Sequence, residues 1–220
     1  LALASAGGLE GVWLRAETQL EGRGRFGRGW HSPIGNLYAS TLVRLKSGDP
    51  PAPTLALVAA VSLHEIVLAY AAEHCHVLIK WPNDLLINDA KLGGILLERA
   101  NDAVVIGFGV NLGFHPIGLD RPVTSLAAQG QDAPDPHYFC EELTLSFAYW
   151  LDCWRSTGLD VIRQAWLEGA HLPGTALTAN LGDGTSVEGC FDGLEADGAL
   201  RLRLADGALR VIHAADVFLI

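Results

Sequence analysis

The hydrophobic and polar positions divide the chain into short β-like runs and three longer apolar-periodic stretches. Val12 to Ala16 and Leu37 to Leu45 read as strands, separated by a Gly/Arg-dense stretch from Gly22 to Gly29. Pro50, Pro51 and Pro53 end a loop, and Thr54 stands where it would cap a helix beginning at Leu55. Four short runs follow, Val77 to Trp81, Leu85 to Ile87, Gly94 to Leu97 and Val104 to Val110, with turn-forming Asn88-Asp89 and Asn101-Asp102 between them. This pattern predicts an antiparallel meander. Residues 137–156 and 159–168 return to helical spacing, with the Pro134-Asp135-Pro136 segment as the start signal of the first. Beyond His171-Leu172-Pro173-Gly174 the character changes. Asp-Gly steps at Asp183, Asp192, Asp197 and Asp206 predict tight turns between short strands, as in a small barrel. The expected organisation is an α/β (α+β) body over residues 1–172, its mixed and largely antiparallel sheet flanked by helices. A β-rich module of residues 173–220, too small to be robust alone, would pack on it.

Composition narrows the function classes. Half of the 220 residues are hydrophobic, enough for a substantial core. The formal net charge of −10 argues against broad affinity for nucleic acid or anionic membrane. No uninterrupted apolar run reaches the roughly 18 to 20 residues of a membrane helix. The richest, Leu55 to Ala72, is broken by Ser62, His64 and Glu65 and reads as a buried helix. The four cysteines form no Cys-x-x-Cys pair and suit free thiols in a reducing, cytoplasmic setting. No metal-ligand cluster is evident, the eight histidines being scattered. The chain opens at Leu1 rather than methionine, and upstream residues are expected.

Three segments carry candidate chemistry. In Gly22-Arg23-Gly24-Arg25-Phe26-Gly27-Arg28-Gly29-Trp30, glycines let the backbone approach a ligand. The arginines can face a phosphate or carboxylate, and Trp30 offers a π-face. A flexible basic loop or an RNA-binding Arg-Gly segment has the same composition. Lys80-Trp81-Pro82-Asn83-Asp84 is followed by Lys91-Leu92-Gly93-Gly94, and the chain has only three lysines in all. A hairpin would bring Asp84 and Lys91 to one site, where a lysine can bridge two anions that otherwise repel. A solvated lysine at a hairpin end is the plainer alternative. In Gly107-Phe108-Gly109-Val110-Asn111 alternate glycines permit close approach at a strand end, and Asn111 is a candidate to orient a phosphate or hydrated metal; a strand-end turn explains the same residues.

Together and in this order, GRGRFGRGW, KWPNDLLINDAKLGGILLE and VVIGFGVNLG resemble the biotin–protein ligase family, and the resemblance continues through Thr124-Ser125-Leu126 into the C-terminal module. It implies a catalytic domain followed by an SH3-like barrel. It also implies two half-reactions: biotin and ATP, with magnesium, give biotinyl-5′-adenylate, and a lysine of a biotin carboxyl carrier protein domain then accepts the biotin. By the same resemblance Lys91 is the central lysine between carboxylate and α-phosphate, with Arg25 beside it in catalysis. Gln19, Gly22, Arg23, Gly24 and Arg25 belong to the biotin-contacting loop, which Arg25 and Arg28 hold over the adenylate. Trp30 would stack on adenine, Gly94 would line the biotin tail, and Asn83, Asp84 and Asn111 would lie near the triphosphate. The family's Ser-Thr-Asn stretch would precede Leu1. The rivals are a lipoate-type ligase, whose Arg-Arg-x-x-Gly-Gly-Gly pattern is absent, and a non-catalytic biotin sensor. Strands such as Leu200 to Leu204 could pair across a homodimer, although solvent-facing alternation explains them equally well. Lys91→Ala is expected to slow adenylation with little loss of stability.

Overall fold

A computed structural model describes residues 1–219; Ile220, the last residue of the expected C-terminal module, lies outside the described residues. After a short helix α1 (Ala2–Ser5), strands β1 (Trp13–Ala16) and β2 (Leu37–Arg44) lead to helix α2 (Leu55–Tyr70). The meander follows as β3 (Val77–Lys80), β4 (Asp84–Ile87), β5 (Ala90–Ala100) and β6 (Ala103–Val110). Helices α3 (Pro136–Ser156) and α4 (Leu159–Glu168) complete the larger unit. Its sheet runs β1-β2-β6-β5-β4-β3 with every strand pair antiparallel; parallel pairing among the described residues is confined to isolated bridges at Ile79–Ala170 and Lys91–Val123.

The turns are where the side-chain chemistry placed them. Asn88 and Asp89 at the β4–β5 turn and Asn101 at the β5–β6 turn all take positive φ, which Asn and Asp tolerate best among residues with a side chain. Asp135 caps α3 by accepting from the His137 amide at 2.7 Å. Thr54 does not cap α2. Its hydroxyl donates to the Pro51 carbonyl (2.6 Å) and accepts from Trp154 Nε1 (2.8 Å), bracing the start of α2 against the end of α3.

Helix α2 is buried along most of its length, packed against α3, α4 and the sheet. With the preceding turn, residues 52–70 form a segment long and apolar enough, by length and composition, to cross a membrane, contrary to the reading from sequence. Here that segment is the core helix of the fold. On the sheet's helix-covered face Trp13 stacks on Phe108 at 5.5 Å between centroids, and Phe147 of α3 meets both edge-on.

Beyond Gly174 come β7 (Ala176–Leu181), β8 (Ser186–Leu194), β9 (Leu200–Arg203), β10 (Leu209–Ile212) and β11 (Ala215–Leu219), in the order β10-β9-β8-β7-β11. Two expectations change. Asp183, Asp197 and Asp206 each accept from a backbone amide two residues on, with the following glycine at positive φ, as tight turns require. Asp192-Gly193, however, sits inside β8 at a bulge, and the Asp192 carboxylate clamps Arg201 (2.9 Å) and Arg203 (2.6 Å). The sheet is not closed into a barrel among the described residues, since β10 and β11 are its unpaired edges. For the same reason β9, the strand at Leu200, is hydrogen-bonded on both sides and is not free to pair across a dimer.

The N-terminal loop is tied to this frame by Glu10, which holds Arg155 of α3 bidentately (2.7 and 2.8 Å) and accepts from the Arg44 amide (2.8 Å). Arg155 beside it is the main reason the Glu10 carboxyl titrates at about 2, well below its ordinary 4.5. A depressed folded-state pKa contributes stability that is complete above the unfolded value and fades as pH falls through the folded one. The difference in unfolding midpoint between the protein and Glu10→Gln is therefore expected to be widest near neutrality. It should close between about pH 4.5 and about pH 2. A difference that stays constant over that range would remove Glu10 ionisation from the account.

Candidate active site

A cavity of about 370 Å³ opens where β4, β5 and β6, the Gly22–Trp30 loop and the last strand β11 converge. Its size is in the range of small-molecule sites. The β4–β5 hairpin builds its chemical centre. Asp84 pairs with Gly94 in register, but a bulge at Leu85/Leu86 shifts the ladder so that Lys91 lies opposite Leu86. The Lys91 ammonium can then fold back over its own strand to the Asp84 carboxylate, with which it makes a close ion pair. Gly94 makes room for this: a Cβ there would stand 3.1 Å from Lys91 Nζ. Lys80, across the β3–β4 turn, reaches the other Asp84 oxygen at 3.6 Å.

These three groups are nearly dry, the Lys91 and Asp84 side chains being 11% and 9% exposed. Burial pushes the Lys91 ammonium below its usual range and Asp84 restores only part of that. Burial by itself would raise Asp84, but Lys91 and Lys80 outweigh it and hold the carboxyl below the ordinary carboxylate range. The product is a fixed ammonium in a low-dielectric pocket, where it interacts with an incoming anion far more strongly than it would in water.

The Gly/Arg loop covers this centre. Trp30 N donates to Gly22 O (2.8 Å) and Gly24 N to Arg28 O (2.7 Å), closing the loop on itself, while Phe26 and Gly27 turn the chain with positive φ. Arg25 donates to the Ala215 carbonyl (3.0 Å) and approaches the Asp216 carboxylate (3.4 Å), and Arg28 reaches the same carboxylate at 2.9 Å. Arg23 pairs with Glu98 of β5 at 2.7 Å. The loop's arginines are thus pinned at one end to the C-terminal sheet and at the other to the six-stranded sheet. Trp30 lies across Gly109 so closely that a Cβ there would be 2.7 Å from its ring, and Lys91 Nζ stands 5.6 Å from the ring centroid.

All the residues given a site role by the family resemblance line this cavity except Gly22 and Asn111. Gly22 sits behind it at the loop base, where a Cβ would collide with the Trp30 carbonyl at 2.5 Å. Asn111 is buried, donating to Thr124 O (3.0 Å) and accepting from Asn36 (3.4 Å), so its amide organises the 111–124 loop rather than facing the cavity. Asn83 lines the cavity, but its amide nitrogen is taken by Ile95 O at 2.5 Å. Sequence reasoning missed Asp216, Val217 and Phe218, which β11 brings in from the far end of the chain. It also left Lys80 and Arg121 out of the site. The scarcity of lysine was the one signal that pointed to Lys80.

Residues 12–113 match the biotin/lipoate A/B protein ligase family and residues 176–220 match the biotin protein ligase C-terminal domain. A biotin–[acetyl-CoA-carboxylase] ligase of Paracoccus denitrificans is 38% identical over 99% of this chain and 94% of its own length. The chain belongs to the biotin protein ligase family. It is accordingly an enzyme, a ligase. The like-named Mycobacterium tuberculosis protein is 32% identical over 97% of this chain and 81% of its own length. Among solved structures, the ligase of Aquifex aeolicus in complex with biotin and ATP superposes with a TM-score of 0.85, covering 96% of this chain and 90% of that one at 24% identity, which bears on the fold alone. For a member of this ligase family, two points of the geometry stand out: a dry lysine–aspartate pair and an arginine loop latched by β11.

Proposed function

We propose that this chain forms biotinyl-5′-adenylate and passes biotin to a carrier-protein lysine at the Lys91 cavity. The observation that carries the residue assignment is the buried Lys91–Asp84 pair beneath a roof of arginines. Six cations and four carboxylates line the cavity of a protein whose net charge is −10, so the site is locally matched to anionic substrates. A biotin carboxylate oxygen attacks the α-phosphorus of ATP, the bond to the β-phosphate bridge breaks, and pyrophosphate leaves with the electron pair. Lys91 offsets the repulsion between the two reacting anions and the charge that builds between them. In the second step the carrier amine attacks the acyl carbon, AMP departs, and the amine loses a proton. Arg25 and Arg28, held by Asp216, keep the loop closed so that water does not take the amine's place.

Magnesium would enter as part of the nucleotide. No three metal-ligating side chains cluster among the described residues. The one buried carboxylate of the cavity, Asp84, is already engaged by two lysines. Such a donor set suits an ion held mainly by substrate phosphates, with at most one carboxylate added, and it would neutralise charge on the phosphate tail.

The test is substrate-dependent release of pyrophosphate with mass detection of the adenylate. Biotin with Mg·ATP is expected to give both, and lipoate little of either. Equal turnover of lipoate would overturn the choice of acid, and binding of biotin without any adenylate would favour a sensor.

A further inference from the structure

Five of the six cations around the cavity already have a carboxylate. Arg23 has Glu98, Arg25 and Arg28 share Asp216, and Lys80 and Lys91 share Asp84. The sixth, Arg121, makes no ion pair or hydrogen bond through its side chain among the described residues, not even with its neighbour Asp120. It is nevertheless placed firmly. Lys91 N donates to Pro122 O at 3.0 Å and Thr124 N donates to Lys91 O at 2.9 Å, so the residues after Arg121 run as a short parallel bridge along the backbone of Lys91 itself. At the other end of the loop, Asn36 Oδ1 accepts from the amides of Leu112, Gly113 and Phe114, each at 3.0 Å. The middle of the loop is exposed, and Arg121 stands at its anchored end, half-buried in the cavity wall.

An unpaired guanidinium on a cavity wall, set by backbone bonds to a catalytic lysine, has the form of an anion receptor left open for the ligand. We infer that Arg121 is a phosphate-binding residue of this site, engaging the phosphate tail of ATP beside Lys91. The inference rests on the ligase reading above and adds a contact from a loop that the family motifs quoted above do not include. Arg121 also lies near enough for its charge to act on both Lys91 and Asp84, which places it within reach of the reacting anions.

The experiment compares the full chain with Arg121→Gln and Arg121→Lys, titrating biotin, adenosine, ATP and inorganic pyrophosphate separately. For Arg121→Gln, ATP and pyrophosphate are expected to bind about 10- to 100-fold more weakly, the range of a charge-assisted hydrogen bond. Biotin and adenosine should stay within about twofold, and Arg121→Lys should recover part of the loss. Parallel weakening of adenosine and ATP would assign Arg121 to loop shape instead, and unchanged ATP binding would overturn the proposal outright. Failure of the wild-type chain to make any adenylate would strike the ligase reading alone, because the binding comparison decides Arg121 independently.

Discussion

Lys91→Ala is expected to slow biotin-dependent pyrophosphate release by about 10²- to 10³-fold, the usual effect of removing one preorganised charge from a reacting centre. It is also expected to lower the unfolding midpoint. That second effect reverses the expectation from sequence alone, and its cause is the burial of Asp84. Truncating one member of a buried ion pair strands the other, which typically costs about 3–5 kcal/mol. Lys80, still 3.6 Å from the far oxygen, reduces that loss without abolishing it. The two effects can be separated by Asp84→Asn/Lys91→Met, which removes both charges and keeps the volume. It should regain part of the stability, since Lys80 then loses its carboxylate and keeps only the Val217 carbonyl, and none of the activity. An alanine variant that still released pyrophosphate within about threefold of the parent would remove Lys91 from the centre.

What the chain order disclosed of this centre was its local part. The β4–β5 hairpin is short, its Asn88-Asp89 turn is chemically explicit, and so the meeting of Asp84 and Lys91 could be anticipated from spacing. The Gly22–Trp30 loop was legible for the same reason. Asn111 was ambiguous because an amide beside Gly-x-Gly looks the same whether it faces a ligand or fastens a loop. Only the positions of Asn36 and Thr124 decide between the two. Asp192-Gly193 was misread because a bulge that contains a positive-φ glycine and a hairpin turn can carry the same dipeptide. Asp216 was out of reach altogether. It meets Arg25 from nearly two hundred residues away, and nothing in the sequence around it distinguishes it from the other acidic residues of the C-terminal module.

Asp216→Arg should give the second large effect. Asp216 is the shared anchor of Arg25 and Arg28, so reversal places three cations together where one carboxylate held two. Each contact is partly exposed and by itself worth about 1 kcal/mol or less. Their joint loss nonetheless acts on a loop rich in glycine, whose ordering is entropically expensive. Adenylation is expected to fall about tenfold or more, and cleavage by a protease between Gly22 and Gly29 should become easier. The adenylate that does form should hydrolyse to free biotin and AMP when no carrier is present. Asp216→Asn, which keeps an acceptor, should lie between the two. A reversed variant with normal adenylation and an equally protected loop would show that the latch is dispensable.

The last strand also reaches deeper than the loop: Lys80 donates to Val217 O at 2.9 Å and lies 5.7 Å from the Phe218 ring centroid. One edge strand therefore touches both the roof of the cavity and the ion pair network at its centre. For anyone building chimeras, this makes the Gly/Arg loop and the C-terminal strand a single heritable cassette. Exchanging the end of the chain with that of a relative, while leaving the loop behind, would join two halves of a lock cut for different keys.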